Sequence, residues 1–154
     1  MVDRVISKLR QFIHYLLHIN VYFGKNVILR GVPKLVYGDK IKFGKNVRLN
    51  DNVFLHSSKG IVIGDNTTLS YGVSVITESY DTSDFTRYVE RHHLGKPVNI
   101  GKNVWICANA TILPGVNIGD NIVVGAGSVV TKDLLEENSL YAGNPAKFIR
   151  KMRW

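Results

Sequence analysis

From Val98 to Asp133 the sequence runs VNIGKN VWICAN ATILPG VNIGDN IVVGAG SVVTKD. The third residue of each block is Ile100, Ile106, Ile112, Ile118, Val124 or Val130, an aliphatic side chain at every sixth position without a slip. The first residue of each block, Val98, Val104, Ala110, Val116, Ile122 or Ser128, is of modest size. A period of six suits neither a helix, at about 3.6 residues per turn, nor a long strand, at about two. It suits a short strand and a turn, repeated. Three such strands close a triangular coil, and stacked coils form a parallel β-helix in which each inward aliphatic rests on its counterpart one coil away. Burial of each contributes ~1.5–3 kcal/mol before conformational entropy is counted. A β-sandwich would space its strands irregularly, at ~8–12 residues.

The same phase holds upstream. Ile63, Leu69 and Val75 form one set, Phe43, Leu49 and Leu55 another, and Phe23, Leu29 and Leu35 a third. A larger unit recurs as FGKNV at 23 and 43, IGDNT at 63, IGKNV at 100 and IGDNI at 118. Its Gly and Asn suit coil corners, where unusual backbone angles are needed. The spacing predicts one all-β domain of about five coils over 21–133, at roughly 21–40, 41–60, 61–77 with 97, 98–115 and 116–133. A helix is expected over 1–20, where apolar residues recur at helical spacing. A loop over 77–97 interrupts the third coil. A tail over 134–154 is expected to carry a short basic helix, with Asn144 as N-cap and Pro145 at its first position.

The chain has 154 residues and a net charge of +8, which points to an anionic partner. Its basic residues are spread out and no aromatic-basic interleaving marks a nucleic-acid platform, so no nucleic acid is expected. The single Cys107 cannot form a disulfide within the chain, which fits a cytoplasmic location. No leader peptide is visible, and the segment FIHYLLHINVYF is too short and polar to span a membrane. Residues 4–17 combine Arg4, Lys8 and Arg10 with an apolar face. Two readings stand: a cap over the open end of the coil, and a peripheral contact with an anionic membrane.

The C-terminal half, with NVWI, ILPGV, GAGSVVTKD and GNPAK at their spacings, resembles the hexapeptide-repeat acyltransferases. The subgroup it is most similar to is the galactoside, maltose, nodulation and capsule or lipopolysaccharide O-acetyltransferases. The resemblance implies a left-handed parallel β-helix, a homotrimer, and acetyl-CoA lying in the groove between subunits. It implies an O-acetyltransferase acting on a sugar hydroxyl, with surface polysaccharide as the expected destination. The positions that match the family's cofactor site are Trp105, Ala108, Ala126, Gly127, Thr131, Lys132, Lys147 and Arg150.

Acetyl transfer to a hydroxyl needs a base, and a neutral histidine suits pH 7. The family carries that histidine early in the loop of the third coil, where this chain has Tyr80, a poor base at neutral pH. The loop's own His92 and His93 then become the candidates, with His93 favoured, and Asp81 or Glu90 as the orienting carboxylate. His56 reads as a surface or corner histidine. Cys107 has no visible activating partner. Three other readings stay open: an amino-sugar N-acetyltransferase, an inactive trimeric sugar-binding scaffold, and a zinc enzyme like the γ-class carbonic anhydrases. The last needs three converging histidines, which two adjacent ones in a loop do not supply, so no metal is expected.

Overall fold

The structure, a computed structural model, describes residues 2–153. Short strands repeat in threes and stack into three parallel sheets, the faces of a triangular prism. The first face holds Ile28–Leu29, Arg48–Leu49, Thr68–Leu69, Trp105–Ile106, Ile122–Val124 and Ser139–Ala142. The second holds Lys34–Val36, Phe54–His56, Ser74–Ile76, Thr111–Ile112 and Val129–Val130. The third holds Ile41–Phe43, Ile61–Ile63, Val98–Ile100 and Asn117–Ile118, extended by a bridge from Ile118 to Leu134. This is the parallel β-helix that the period of six requires.

Register follows the sequence repeat. Leu49 pairs with Leu69, Leu69 with Ile106, Ile106 with Val124 and Val124 with Tyr141, and all five are buried. The core is therefore a set of vertical columns of aliphatic side chains.

The recurring GKN and GDN corners have a physical cause. Asn26, Asn46, Asn66, Asn103 and Asn121 all take left-handed backbone angles. Their side-chain amides form a ladder, each Nδ2 donating to the next Oδ1 at 2.7, 3.1, 3.2 and 2.9 Å. Asparagine tolerates that conformation and its amide both donates and accepts. At Gly64 a Cβ would lie 2.6 Å from the Gly101 backbone of the coil above, so the coils can approach only if that position has no side chain.

Two expectations fail at the ends of the coil. Phe23 is not an inward rung: it is 74% exposed, because the chain before it forms the short helix Ile19–Tyr22. Tyr22 takes the inward place instead, fully buried with its ring 5.7 Å from that of Phe43. The expected basic helix after Pro145 is also absent. Lys147–Lys151 is a strand antiparallel to Ser139–Ala142, which itself extends the first face past Ile122–Val124. The last coil ends in a row of unpaired backbone groups, and a hairpin pairs them where a helix would leave them open.

Candidate functional site

The interruption begins where Ser74–Ile76 leaves the second face and ends where Val98–Ile100 joins the third. Both flanks return to one corner, so Glu78–Tyr80 and His93–Gly95 pair antiparallel, with Tyr80 opposite His93 and Glu78 opposite Gly95. Between them lies the one-turn helix Phe85–Val89, capped by Asp84, whose Oδ1 accepts from the Thr86 and Arg87 amides at 2.8 and 3.2 Å.

This pairing makes a cluster centred on Glu78. His93 Nδ1 is 3.6 Å from Glu78 Oε1, His56 Nε2 is 3.9 Å from the same oxygen, and Lys59 Nζ is 3.8 Å from Oε2. A hydrogen bond from Ser58, and then the charges of His56, His93 and Lys59, hold the Glu78 carboxyl below its ordinary value although burial opposes them. Glu78 is thus a fixed negative charge between two imidazoles. His93 also packs edge-on against Tyr80, with ring centroids 4.7 Å apart. Phe54, His56, Ile76, Glu78, Ser79, Tyr80 and His93 line a recess of about 220 Å³.

His56 is therefore no isolated corner histidine. It projects from the second face directly below Ile76, its register partner, into the recess. Its Nδ1 is buried with no partner among the described residues.

The other loop candidates are engaged elsewhere. Asp81 is buried and accepts from the Ser83 hydroxyl at 2.6 Å, the Ser83 amide at 3.0 Å and the Arg87 guanidinium. Ser83 first and then Arg87 hold its carboxyl down to about 2. With its oxygens committed to the loop, Asp81 does not orient a histidine, contrary to the sequence expectation. Glu90 pairs at 2.9 Å with the exposed His92, which does not line the recess. Sequence reasoning passed over Glu78. The signal was present: two residues past Ile76 in the repeat phase, it falls one coil above Ser58 and beside His56.

The expected cofactor residues lie on the upper coils. Trp105 is exposed on the first face, its Nε1 donating to Ser70 Oγ at 3.0 Å. Ala108 and Ala126 sit one coil apart at the next corner, where the Gly127 amide donates to the Ala108 carbonyl at 2.9 Å. That corner presents small side chains and backbone, a ledge suited to an extended amide-containing chain. Thr131 and Lys132 are exposed at the following corner, and Lys147 and Arg150 on the terminal strand. None of these eight lines the recess at His93. Burial pushes the Cys107 thiol up, which leaves it a poor nucleophile. Among the described residues no group of three or more His, Cys, Asp or Glu is arranged to hold a metal ion.

Residues 97–132 match the family described as the hexapeptide repeat of succinyl-transferase. The galactoside O-acetyltransferase of Escherichia coli K12 is 36% identical over 136 residues, covering 84% of this chain and 63% of that one. The chain spans 55–63% of the length of the first curated relatives it matches. The crystal structure of a maltose O-acetyltransferase from Clostridium difficile 630 superposes with a TM-score of 0.79 at 37% identity, over 84% of this chain and 68% of that one. A hexapeptide-repeat acetyltransferase from Vibrio cholerae, in complex with acetyl-CoA, superposes with a TM-score of 0.76 at 28% identity, over 90% and 76% of the two chains.

Proposed function

This chain belongs to the hexapeptide-repeat acetyltransferases, and from that premise we propose that it transfers the acetyl group of acetyl-CoA to a saccharide hydroxyl. The observation that carries the reading is Glu78 beside His93. A carboxylate 3.6 Å from Nδ1 favours the tautomer with its proton there and leaves Nε2 to act on substrate. Among the described residues Nε2 of His93 has no ion-pair partner.

His93 Nε2 takes the hydroxyl proton as the acceptor oxygen attacks the thioester carbonyl carbon. Glu78 stabilises the imidazolium that forms. The tetrahedral intermediate collapses, the carbon–sulfur bond breaks, and the sulfur leaves with the proton returned by His93. The sum is acetyl-CoA plus alcohol to ester plus CoA. Tyr80, which stands where the family's histidine stands, supports the ring of His93 edge-on. The pairing of the loop's two flanks sets His93 opposite Tyr80, which supports His93 as the replacement.

The cofactor residues and the loop histidine occupy different corners of one chain. A homotrimer resolves this: the ledge of Trp105, Ala108, Ala126 and Gly127 on one copy faces the loop of a neighbour. Closed cyclic assembly is the common solution for flat-faced subunits. Thr131, Lys132, Lys147 and Arg150 supply hydroxyl and cationic groups for the phosphates of CoA. A sugar acceptor is supported by the galactoside and maltose O-acetyltransferases among the relatives, and a surface polysaccharide is its proposed destination.

The test is CoA release from acetyl-CoA in the presence of a galactoside or maltose, with the acetylated product identified by mass. Release that depends on the saccharide supports the reading. No CoA binding and no release with either acceptor refutes it.

A further inference from the structure

The N-terminal helix Val2–Leu17 docks on the coil by its polar side. Gln11, His14, Tyr15, His18 and Tyr22 recur at three- and four-residue spacing and face the body, with His14 and Tyr22 buried and the other three half-buried. His14 Nε2 and the Tyr22 hydroxyl are 2.9 Å apart, the His14 and His18 rings stack at 4.4 Å, and Tyr22 closes the coil against Phe43. The opposite stripe, Val5, Leu9, Phe12 and Leu16, is exposed, and at its edge Ile13 and Leu17, also exposed, line an open groove against Gly31, Val32, Asp51 and Asn52 of the coil. A soluble helix ordinarily turns such a stripe toward its core. Here the capping of the coil is done by Tyr15 and Tyr22, and the apolar stripe is left over. A contiguous exposed apolar surface marks an interaction site.

We propose that this stripe lies in the interface of an anionic lipid bilayer. Charge selects the occupant. At about 100° per residue, Lys8 and Arg10 fall at the two edges of the apolar arc, and both are exposed. Between residues 4 and 38 the sequence has six Lys or Arg and no Asp or Glu. Lys25, Arg30 and Lys34 of that set are exposed as well. A second copy packed on this face sets Lys8 and Arg10 against like charges, whereas a layer of anionic headgroups neutralises both. No described helix is long and apolar enough to cross a membrane, so the contact is a surface one.

The experiment is sedimentation of the full chain with vesicles of phosphatidylcholine mixed with phosphatidylglycerol, against pure phosphatidylcholine. Binding to the anionic vesicles is expected to be at least ~10-fold tighter and to weaken at ~1 M salt. The triple variant Leu9→Ser, Phe12→Ser, Leu16→Ser loses that binding with the thermal unfolding of the coil unchanged. The pair Lys8→Glu, Arg10→Glu, which leaves the stripe intact, weakens it by ~10-fold. The proposal is overturned if the unmodified chain ignores anionic vesicles, or if the triple variant binds them equally. It is also overturned if that variant changes only the oligomer mass by light scattering, which assigns the stripe to a second copy.

Discussion

The coil and the loop at 77–97 are built on opposite rules. In the coil each rung is buried against an equivalent apolar neighbour, as with Leu69 between Leu49 and Ile106. In the loop Leu94 is 52% exposed and the order comes from polar groups: Asp84 caps a one-turn helix, and Asp81 gathers Ser83 and Arg87. Repetition gives the coil its stability, and its corners serve as a surface to bind on. The interruption gives up repetition and acquires a carboxylate between two histidines. The buried rungs and the loop therefore carry different properties, and a substitution in the loop should leave the stability of the coil intact.

The largest contrast is expected from one change made in both places. Leu69→Ala, at 0% exposure, should cost ~2–5 kcal/mol in denaturant unfolding, while Leu94→Ala should stay within ~0.5 kcal/mol. Equal costs would mean that the loop shares the coil's core. Next comes Glu78→Gln, which should lower kcat roughly 10–100-fold with the KM for acetyl-CoA unchanged, because Glu78 positions His93 without meeting the cofactor. A rise in KM alone would assign Glu78 to binding. Asn103→Ala should cost ~1–2 kcal/mol, since it removes one amide from the ladder and puts alanine, which tolerates the left-handed region less well than asparagine, at that corner. Transfer by the folded variant should be unaltered.

A separate effect, confined to acid, is a pH dependence at the N-terminal cap. Burial first, and then the charge of His18, lower the His14 pKa from 6.5 to about 4. Between those values the unfolded chain holds the extra proton, so stability present above pH ~6.5 is lost as pH falls toward ~4. Thermal unfolding across that window should show the decline, and His14→Gln should flatten it.

The coil was legible from its period alone, because each position in a six-residue unit has one environment and repeats it. Even the corner asparagines announced themselves, since a left-handed turn admits few residues. The loop's location was equally plain as a break in phase. Its pairing was not, because the antiparallel register of an insertion depends on how both flanks meet the corner, and that register set Glu78 rather than Asp81 beside His93. The tail misled for a related reason. Asn144 and Pro145 are local signals for a helix start, while here they lie in the turn of a hairpin whose first strand, Ser139–Ala142, is held by the edge of the previous coil. The N-terminal segment showed helical spacing, yet nothing local stated that its polar stripe, with His14 and Tyr22, would be the docked one.

The most direct test is to compare acetyl transfer by His93→Ala and His92→Ala, with CoA affinity measured alongside. The adjacent histidines differ in place: one lines the recess against Glu78 and the other pairs with Glu90 in solvent. His93→Ala should lose at least ~100-fold in turnover with CoA affinity retained, and His92→Ala should stay near normal. Undiminished turnover in His93→Ala, or a loss that falls on His92→Ala instead, would contradict the assignment.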